Sequence, residues 1–484
     1  MTTSTRGVKS INPIKFGTDG WRAIIAQDFT FDNVGICAQA VADYVKKTGL
    51  ASCGLVIGHD TRFASEDFAA AAAEVVAGNG IKVFLCPEAT PTPVISYGTL
   101  ARKAGGAIII TASHNPATWN GFKYKIETGS SAPPEVTTEI EANITHVQST
   151  GKIRRIPLSA ALKQGLIEYL DLAPIYFDQI KKLIDLNKLR RAELKVVIDS
   201  MWGAGAGYLK TLLSGGTMNL IEIHGDRNPL FPEIERPEPI MPNLMALSAK
   251  VKEQKASVGL ATDGDGDRMG VVDENGVFLT QLQVFALLCL YLLEVRGERG
   301  PIVKTLTTTS MVYRLGEIFN VPVFETPVGF RYVAPVMVEQ NALIGGEESG
   351  GYGFRGHVLE RDGVLANLYF LDLMVTTGKS PSELLAHLYR KVGVHHYQRR
   401  DIKFPEKERK TIIRHIKQNA PDDIGGVKVA RFDTTDGFRF LLADGAWLLI
   451  RFSGTEPVMR IYAEDSTPSR VGELLTMGRN LTGV

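Results

Sequence analysis

The sequence predicts an α/β protein: three topologically similar α/β domains with mixed or parallel sheets, then a C-terminal α+β domain, set around a central cleft. Three observations carry this. A chain of 484 residues exceeds what a single core holds, since domains average about 150 residues. One layout occurs three times: a short apolar strand, a polar turn, an amphipathic helix and a second strand leading to a proline. The copies are "GLVIGHDTRFASEDFAAAAAEVVAGNGIKVFLCPEATPTP", "LKVVIDSMWGAGAGYLKTLLSGGTMNLIEIHGDRNP" and "GPIVKTLTTTSMVYRLGEIFNVPVFETPVGF". The tail changes period, to short runs of alternating apolar and polar residues broken by Asp-Gly turns.

Strands that alternate with helices at this length imply right-handed βαβ units and mostly parallel sheets. Domain bounds are expected at 1–160, 161–282, 283–393 and 394–484, with the polar stretch Thr145 to Pro157 as the first linker. From "HHYQRRDIKFPEKERK" onward a basic helix is expected. The antiparallel pattern of "VKVARFDTTDGFRFLLADGAWLLIRFSGTEP" follows it.

Lys plus Arg (54) nearly balance Asp plus Glu (53), so the overall field gives no reason to expect nucleic acid or an anionic membrane as partner. Cys37, Cys53, Cys86 and Cys289 are scattered without C-x-x-C spacing, which argues against a zinc site or a disulfide scaffold and for a reduced compartment. The start, "MTTSTRGVKSINPIKFG", has no apolar h-region, and the most apolar run, Val284 to Leu293, is too short to span a bilayer. A cytoplasmic protein, monomer or homodimer, is expected.

Four stretches carry chemistry. "TASHNP", Thr111 to Pro116, ends an apolar strand by lifting Ser113 and His114 out of a sheet edge, where Ser113 is expected to be exposed. "TDGDGDR", Thr262 to Arg268, places Asp263, Asp265 and Asp267 at alternate positions among glycines. Carboxylates so close repel one another unless a hard cation such as Mg²⁺ or Ca²⁺ sits between them. An EF-hand is excluded, because Arg268 stands where its template needs glycine and a strand precedes the loop. "RFSGTEP", Arg451 to Pro457, can converge a guanidinium, two hydroxyls and backbone N–H groups on one tetrahedral anion. "GGEESGG", Gly345 to Gly351, offers carboxylates to vicinal hydroxyls, as a sugar presents them.

The four stretches fall in four different domains, which implies one shared cleft for a phosphosugar. Ser113 has no G-x-S-x-G elbow, so a hydrolase is disfavoured, and no G-x-x-x-x-G-K-[ST] is present for a P-loop kinase. Neighbours on an extended chain point apart, which argues against His114 as the base for Ser113.

These motifs resemble the α-D-phosphohexomutases, which include phosphoglucomutases and phosphomannomutases. "TASHNP", "DGDGDR", "GEESGG" and "RFSGTEP", with "FGTDGWR" (Phe16 to Arg22) and "NGFKYK" (Asn120 to Lys125), occur in order over nearly the whole chain. The resemblance implies Ser113 as a phosphoserine whose phosphate completes a Mg²⁺ shell of Asp263, Asp265 and Asp267. It implies Arg22 and Arg268 as charge-stabilising groups, Lys123 as general base or simple counter-charge, and His114 as a further catalytic candidate. Glu347 and Ser349 would read the sugar 3- and 4-hydroxyls. Arg451, Ser453, Gly454 and Thr455 would hold the distal phosphate, with Gly329 and Arg331 of "TPVGFRY" as the remaining wall.

The activity so implied is interconversion of glucose 1-phosphate and glucose 6-phosphate, with Mg²⁺ as cofactor and glucose 1,6-bisphosphate as intermediate and activator. Glu348 stands where phosphomannomutase types carry Met and phosphoglucosamine types Gln, which favours glucose. The chain's length resembles dual-specificity enzymes, so mannose phosphate remains a second substrate. A glucose 1,6-bisphosphate synthase on the same scaffold and a silent sugar-phosphate sensor are the alternatives. A swing of the fourth domain about residues 390–400 is expected to let the intermediate turn.

Overall fold

In this computed structural model the described residues are 14–17, 19–453 and 457–483. Each of the three repeated segments is strand, helix, parallel strand: Leu55–His59 pairs with Val83–Leu85, Lys195–Asp199 with Asn219–Ile223, and Ile302–Thr305 with Val323–Thr326. In every unit the first strand of the pair also takes a third parallel neighbour: Ala107–Ile110, Val258–Thr262 and Ile344–Gly346 respectively. The chain then reverses into an antiparallel strand: Trp119–Lys125, Met269–Val272 and Tyr352–Phe354. All three sheets are therefore mixed, a parallel centre with one antiparallel side. The apolar strands are buried along their length, as strands covered by helices on both faces must be.

The linker expected at 145–157 is not one. Residues 145–150 close the helix Pro134–Thr150, and Ile167–Tyr169 adds a sixth strand to the first sheet beside Val83–Leu85. The chain leaves this sheet only after residue 169 and enters the helix Ala173–Leu183. The polar residues misled because they lie on the solvent side of a helix whose buried stripe is Thr137, Ile140, Ile144 and Val147. The apolar run from Val284 forms part of the buried helix Gln281–Leu290, and no helix among the described residues is long and apolar enough to cross a membrane.

The last unit is a six-stranded antiparallel-paired sheet carrying the helices Arg409–Gln418 and Pro468–Thr482. The first half of the expected basic helix is instead a strand, His396–Lys403, paired residue for residue with Val458–Asp465. Its mostly exposed charged and polar side chains suit an edge strand, where they discourage pairing with another chain. The helix begins only at Arg409. Between the helix Pro381–Val392 and this strand stands Gly393 with φ 87°.

The fourth unit meets the third through Leu306, Trp447, Leu449 and Tyr462, an apolar cluster beside a partly buried ion pair. Arg439 donates to both carboxylate oxygens of Glu325, at 2.7 and 2.5 Å, and Lys304 lies 3.4 Å away. Burial pushes the Glu325 carboxyl up, but the hydrogen bonds of Arg439 and the charge of Lys304 bring it down to about 2. Because its folded value lies below the unfolded one of about 4.3, Glu325 contributes stability above that pH and loses it as pH falls toward 2, worth about 3 kcal/mol. Glu325→Gln is therefore expected to lower the unfolding temperature at pH 7 and to flatten its fall between about pH 5 and pH 2, as read by calorimetry.

Candidate active site

The topology places three of the loops in equivalent positions. Residues 111–118, 263–268 and 347–351 each lie where the third parallel strand of a unit turns into its antiparallel neighbour. That is the carboxyl end of the sheet, where open α/β folds bind ligands. The loops touch directly: Ser113 Oγ donates to Asp263 Oδ2 at 3.0 Å across the first and second units.

Ser113 has a left-handed backbone, φ 51°, uncommon for a residue with a Cβ. Its N–H donates to Thr111 Oγ1 (2.8 Å), and the Asn115 N–H closes a turn on the Ala112 carbonyl (3.1 Å). Two expectations are corrected here. Ser113 is buried, 1% exposed, at the base of the loop contact rather than exposed at a sheet edge. The left-handed turn also removes the extended geometry that would point neighbouring side chains apart, and His114 Nδ1 lies 3.3 Å from Ser113 Oγ. Burial and the surrounding charges of Arg268, Arg22, Arg236 and Arg62 pull the His114 imidazole well below its ordinary value, so the ring is neutral.

Asp263, Asp265 and Asp267 are fully buried and each offers an oxygen within 4.8 Å of the others. Asp263 Oδ1 accepts from the N–H groups of Asp267 and Arg268 (2.9 and 3.2 Å), which curls the loop around it. Asp265 Oδ2 accepts from Thr92 Oγ1 (2.7 Å) and Lys123 Nζ (2.8 Å). Asp265 Oδ1 and Asp267 Oδ1 are buried with no hydrogen-bond partner among the described residues. Such orphaned carboxylate oxygens are costly, and an all-oxygen set of this charge fits a hard divalent cation. Burial and repulsion from Asp267 and Asp265 push the Asp263 carboxyl well above the usual range, the same misfit seen from the proton side.

Gly264 fixes how closely the loops approach. A Cβ there would stand 2.5 Å from the Ser113 carbonyl oxygen and 2.9 Å from Pro237 Cγ. Gly264→Ala is expected to push the two loops apart and cut turnover by about 100-fold, because misplacing reacting groups by about 1 Å costs that much, with a much smaller change in unfolding temperature. Steady-state kinetics beside calorimetry checks it.

The counter-charges form one buried network, most of which sequence reasoning did not single out. Lys123 Nζ pairs with Asp19 (2.7 Å) and Asp265 (2.8 Å). Burial pulls this ammonium down, but Asp19, Asp265 and Asp267 outweigh it and hold Lys123 above its ordinary value. Lys123 is thus held between two carboxylates of different units, at the floor of the triad. Lys125 pairs with Asp19 (3.0 Å) and Glu360 (2.6 Å). Arg361 joins three units at once, reaching Asp19 (2.9 Å), Asp267 (2.7 Å) and Glu347 (3.2 Å). Arg268 bonds Glu238 (3.3 Å), and its Nε, 3.7 Å from Asp267, has no hydrogen-bond partner among the described residues. Arg22 Nη1 donates to Asn115 Oδ1 at 2.7 Å, bracing the serine loop from the strand Trp21–Ile24. Asp19 and Lys125 lie inside the quoted motifs "FGTDGWR" and "NGFKYK"; Arg361 lies in "ERDG", whose only signal was paired charges before a helix.

In the third loop Glu347 is buried beside Arg361, while Ser349 Oγ is buried without a partner among the described residues. Glu348 faces the fourth unit and lies 3.4 Å from Arg399. Arg451 Nε donates to Asp436 Oδ1 (3.0 Å), and Asp436 Oδ2 accepts from the Val328 N–H (2.9 Å), so the clamp arginine is tied to the turn that precedes Gly329 and Arg331. Arg331 Nη1 reaches the Gly17 carbonyl (3.0 Å), linking that turn to the first unit. Ser453 is buried; Gly454 and Thr455 lie outside the described residues.

The fold and this charged cleft define an enzyme of phosphoryl transfer, and comparison with known proteins agrees. The models of the four phosphoglucomutase/phosphomannomutase domains match in order: alpha/beta/alpha domain I over residues 13–151, domain II over 174–276, domain III over 281–392 and the C-terminal domain over 402–480. The chain belongs to this family of phosphohexomutases. A phosphoglucomutase/phosphomannomutase of Thermococcus kodakarensis is 31% identical over 96% of this chain and 98% of its own. A Methanosphaera stadtmanae protein assigned as a phosphoglucosamine mutase is also 31% identical, over 96% and 97%. A solved structure from Thermus thermophilus, assigned as a phosphomannomutase, shares 35% identity with a TM-score of 0.85 over 98% of this chain and all of that one.

Proposed function

We propose that the protein interconverts glucose 1-phosphate and glucose 6-phosphate through a phosphoryl group carried on Ser113 and a glucose 1,6-bisphosphate intermediate, which also serves as activator. The observation that carries this reading is the 3.0 Å contact of Ser113 Oγ with the buried triad. Asp263, Asp265, Asp267 and the serine oxygen would hold Mg²⁺, which when bound neutralises charge on the transferring group.

In the first half-reaction the sugar hydroxyl oxygen bonds to phosphorus as the P–Oγ bond of Ser113 breaks, and the hydroxyl proton ends on Ser113 Oγ. In the second, Ser113 Oγ attacks the phosphate at the other end of the sugar as that phosphorus–sugar oxygen bond breaks, and the leaving sugar oxygen becomes a hydroxyl. The Oγ proton passes to the neutral His114 Nδ1, 3.3 Å away, and from that ring to the leaving sugar oxygen. Arg22, Arg268 and Lys123 balance the charge of the loose transition state. Glu347 and Ser349 read the 3- and 4-hydroxyls, which lie near the axis about which the intermediate turns. Arg451, Ser453, Gly454 and Thr455, with Gly329 and Arg331, hold the distal phosphate.

The fourth domain swings about the Gly393 region to let the intermediate turn, with working bounds of 1–160, 161–282, 283–393 and 394–484 amended by the strand Ile167–Tyr169. We place the enzyme in the cytoplasm. Mannose phosphate is the second reading, favoured by the name and coverage of the Thermococcus relative. A coupled assay comparing glucose 1-phosphate, mannose 1-phosphate and glucosamine 1-phosphate tests the choice: glucose is expected to give the highest kcat/KM, and a preference for either other sugar overturns it.

A further inference from the structure

We propose that Arg62 is the positioning residue of the transferring serine, a role that rests on the reading of Ser113 as the phosphoryl carrier. Arg62 follows the strand Leu55–His59, in "GHDTR", and is wholly buried. A guanidinium has five N–H donors in a fixed fork, and here every one is used. Nε donates to Asp60 Oδ2 (3.1 Å). Nη1 donates to the carbonyls of Pro116 (2.8 Å) and Trp119 (3.0 Å). Nη2 donates to those of Ser113 (2.6 Å) and Asn115 (2.6 Å). Three bonds therefore land on backbone carbonyls of the loop that presents the serine and a fourth on Trp119, the first residue of the strand that follows it.

The partner of the pair holds the other side of that loop. Asp60 accepts from Thr111 Oγ1 (2.6 Å), the same hydroxyl that receives the Ser113 N–H. Residues on both flanks of Ser113 are thus referred to one buried Asp60–Arg62 pair. The left-handed conformation of Ser113 persists because its carbonyl is seized from one side by Arg62 and faced from the other by Gly264. The pair is in turn set by the second unit: the guanidinium lies 5.0 Å over the Phe231 ring, and Thr61 Oγ1 donates to the Trp202 carbonyl (2.7 Å). Arg62 touches no reacting atom. It acts by fixing where Ser113 Oγ sits relative to Asp263.

Lysine keeps the charge beside Asp60 but has three donors and no fork, so it cannot hold four carbonyls. The test compares wild type, Arg62→Lys and Arg62→Gln by calorimetry, by steady-state kinetics with a hexose phosphate, and by the rate at which glucose 1,6-bisphosphate labels the Ser113 peptide, read by mass spectrometry. For a folded variant the labelling rate and kcat are expected to fall together by about 100-fold while KM stays within about three-fold. A purely structural arginine would lower the yield of folded enzyme and leave kcat per folded molecule unchanged. The proposal is overturned if a folded variant labels within about three-fold of wild type, if KM carries the loss, or if neither variant folds. If wild type itself takes up no label on Ser113, it is the reading of Ser113 that fails.

Discussion

Ser113→Ala is expected to abolish turnover and covalent phosphoryl uptake together, leaving less than about one part in 10⁴ of wild-type activity, the scale seen when a catalytic nucleophile is deleted. Without Oγ the phosphoryl group has no resting place between the two ends of the sugar, and none of the surrounding groups replaces it: His114 is neutral but lies to the side, and Lys123 is committed to Asp19 and Asp265. Because Ser113 is buried and left-handed rather than exposed, the variant also carries a stability cost of about 1 kcal/mol, from the lost hydrogen bond and the poorer backbone preference. Binding of hexose phosphate should survive, since the recognition groups sit in other loops. Calorimetry, equilibrium binding and a turnover assay on one preparation separate these effects; residual turnover above about 1% of wild type would exclude a covalent serine.

Asp265→Asn is expected to have the next largest effect. The wild-type carboxylate divides its oxygens, Oδ2 to Thr92 and Lys123 and Oδ1 to no partner among the described residues. An asparagine removes one of three clustered charges and must aim its NH₂ either at Lys123, where it faces a cation, or into the triad, where it faces the ion. Affinity for Mn²⁺ as a stand-in divalent ion should fall by at least about 10–100-fold, the loss already seen when outer partners of metal ligands are changed. Turnover should fall by about 100-fold or more, because charge neutralisation is the main contribution to phosphoryl transfer. Titration calorimetry with Mn²⁺ and kinetics over a range of Mg²⁺ check both. Unchanged metal affinity would remove Asp265 from the binding site.

How much of this was legible in the sequence follows from what each signal encodes. The triad was, because three carboxylates at alternate positions are self-repelling wherever the chain folds. The repeated strand–helix–strand units were, because hydrophobic period and turn residues are local. The edge strand His396–Lys403 was not: its charges read as a solvated helix, and only pairing with Val458–Asp465 makes it a strand. Ile167–Tyr169 escaped for the same reason, since three residues gain their role from Val83–Leu85. The burial of Ser113 depends on Asp263 and Gly264, 150 residues away for the hydrogen bond. Asp19 and Lys125 stood inside quoted motifs and Glu360 and Arg361 in a charged pair, but their pairing with one another appears only when distant segments meet, and Arg62 is visible only once the carbonyls it holds are in place.

The central claim, a phosphoryl group stored on Ser113 and passed to a hexose, is tested most directly by peptide mass spectrometry of the purified enzyme. After incubation with glucose 1,6-bisphosphate and Mg²⁺, the peptide containing Ser113 should carry one phosphoryl group, which disappears on adding glucose 6-phosphate as bisphosphate appears in solution. A phosphoryl group found elsewhere, or an unlabelled Ser113 in an enzyme that still turns over, would contradict the account.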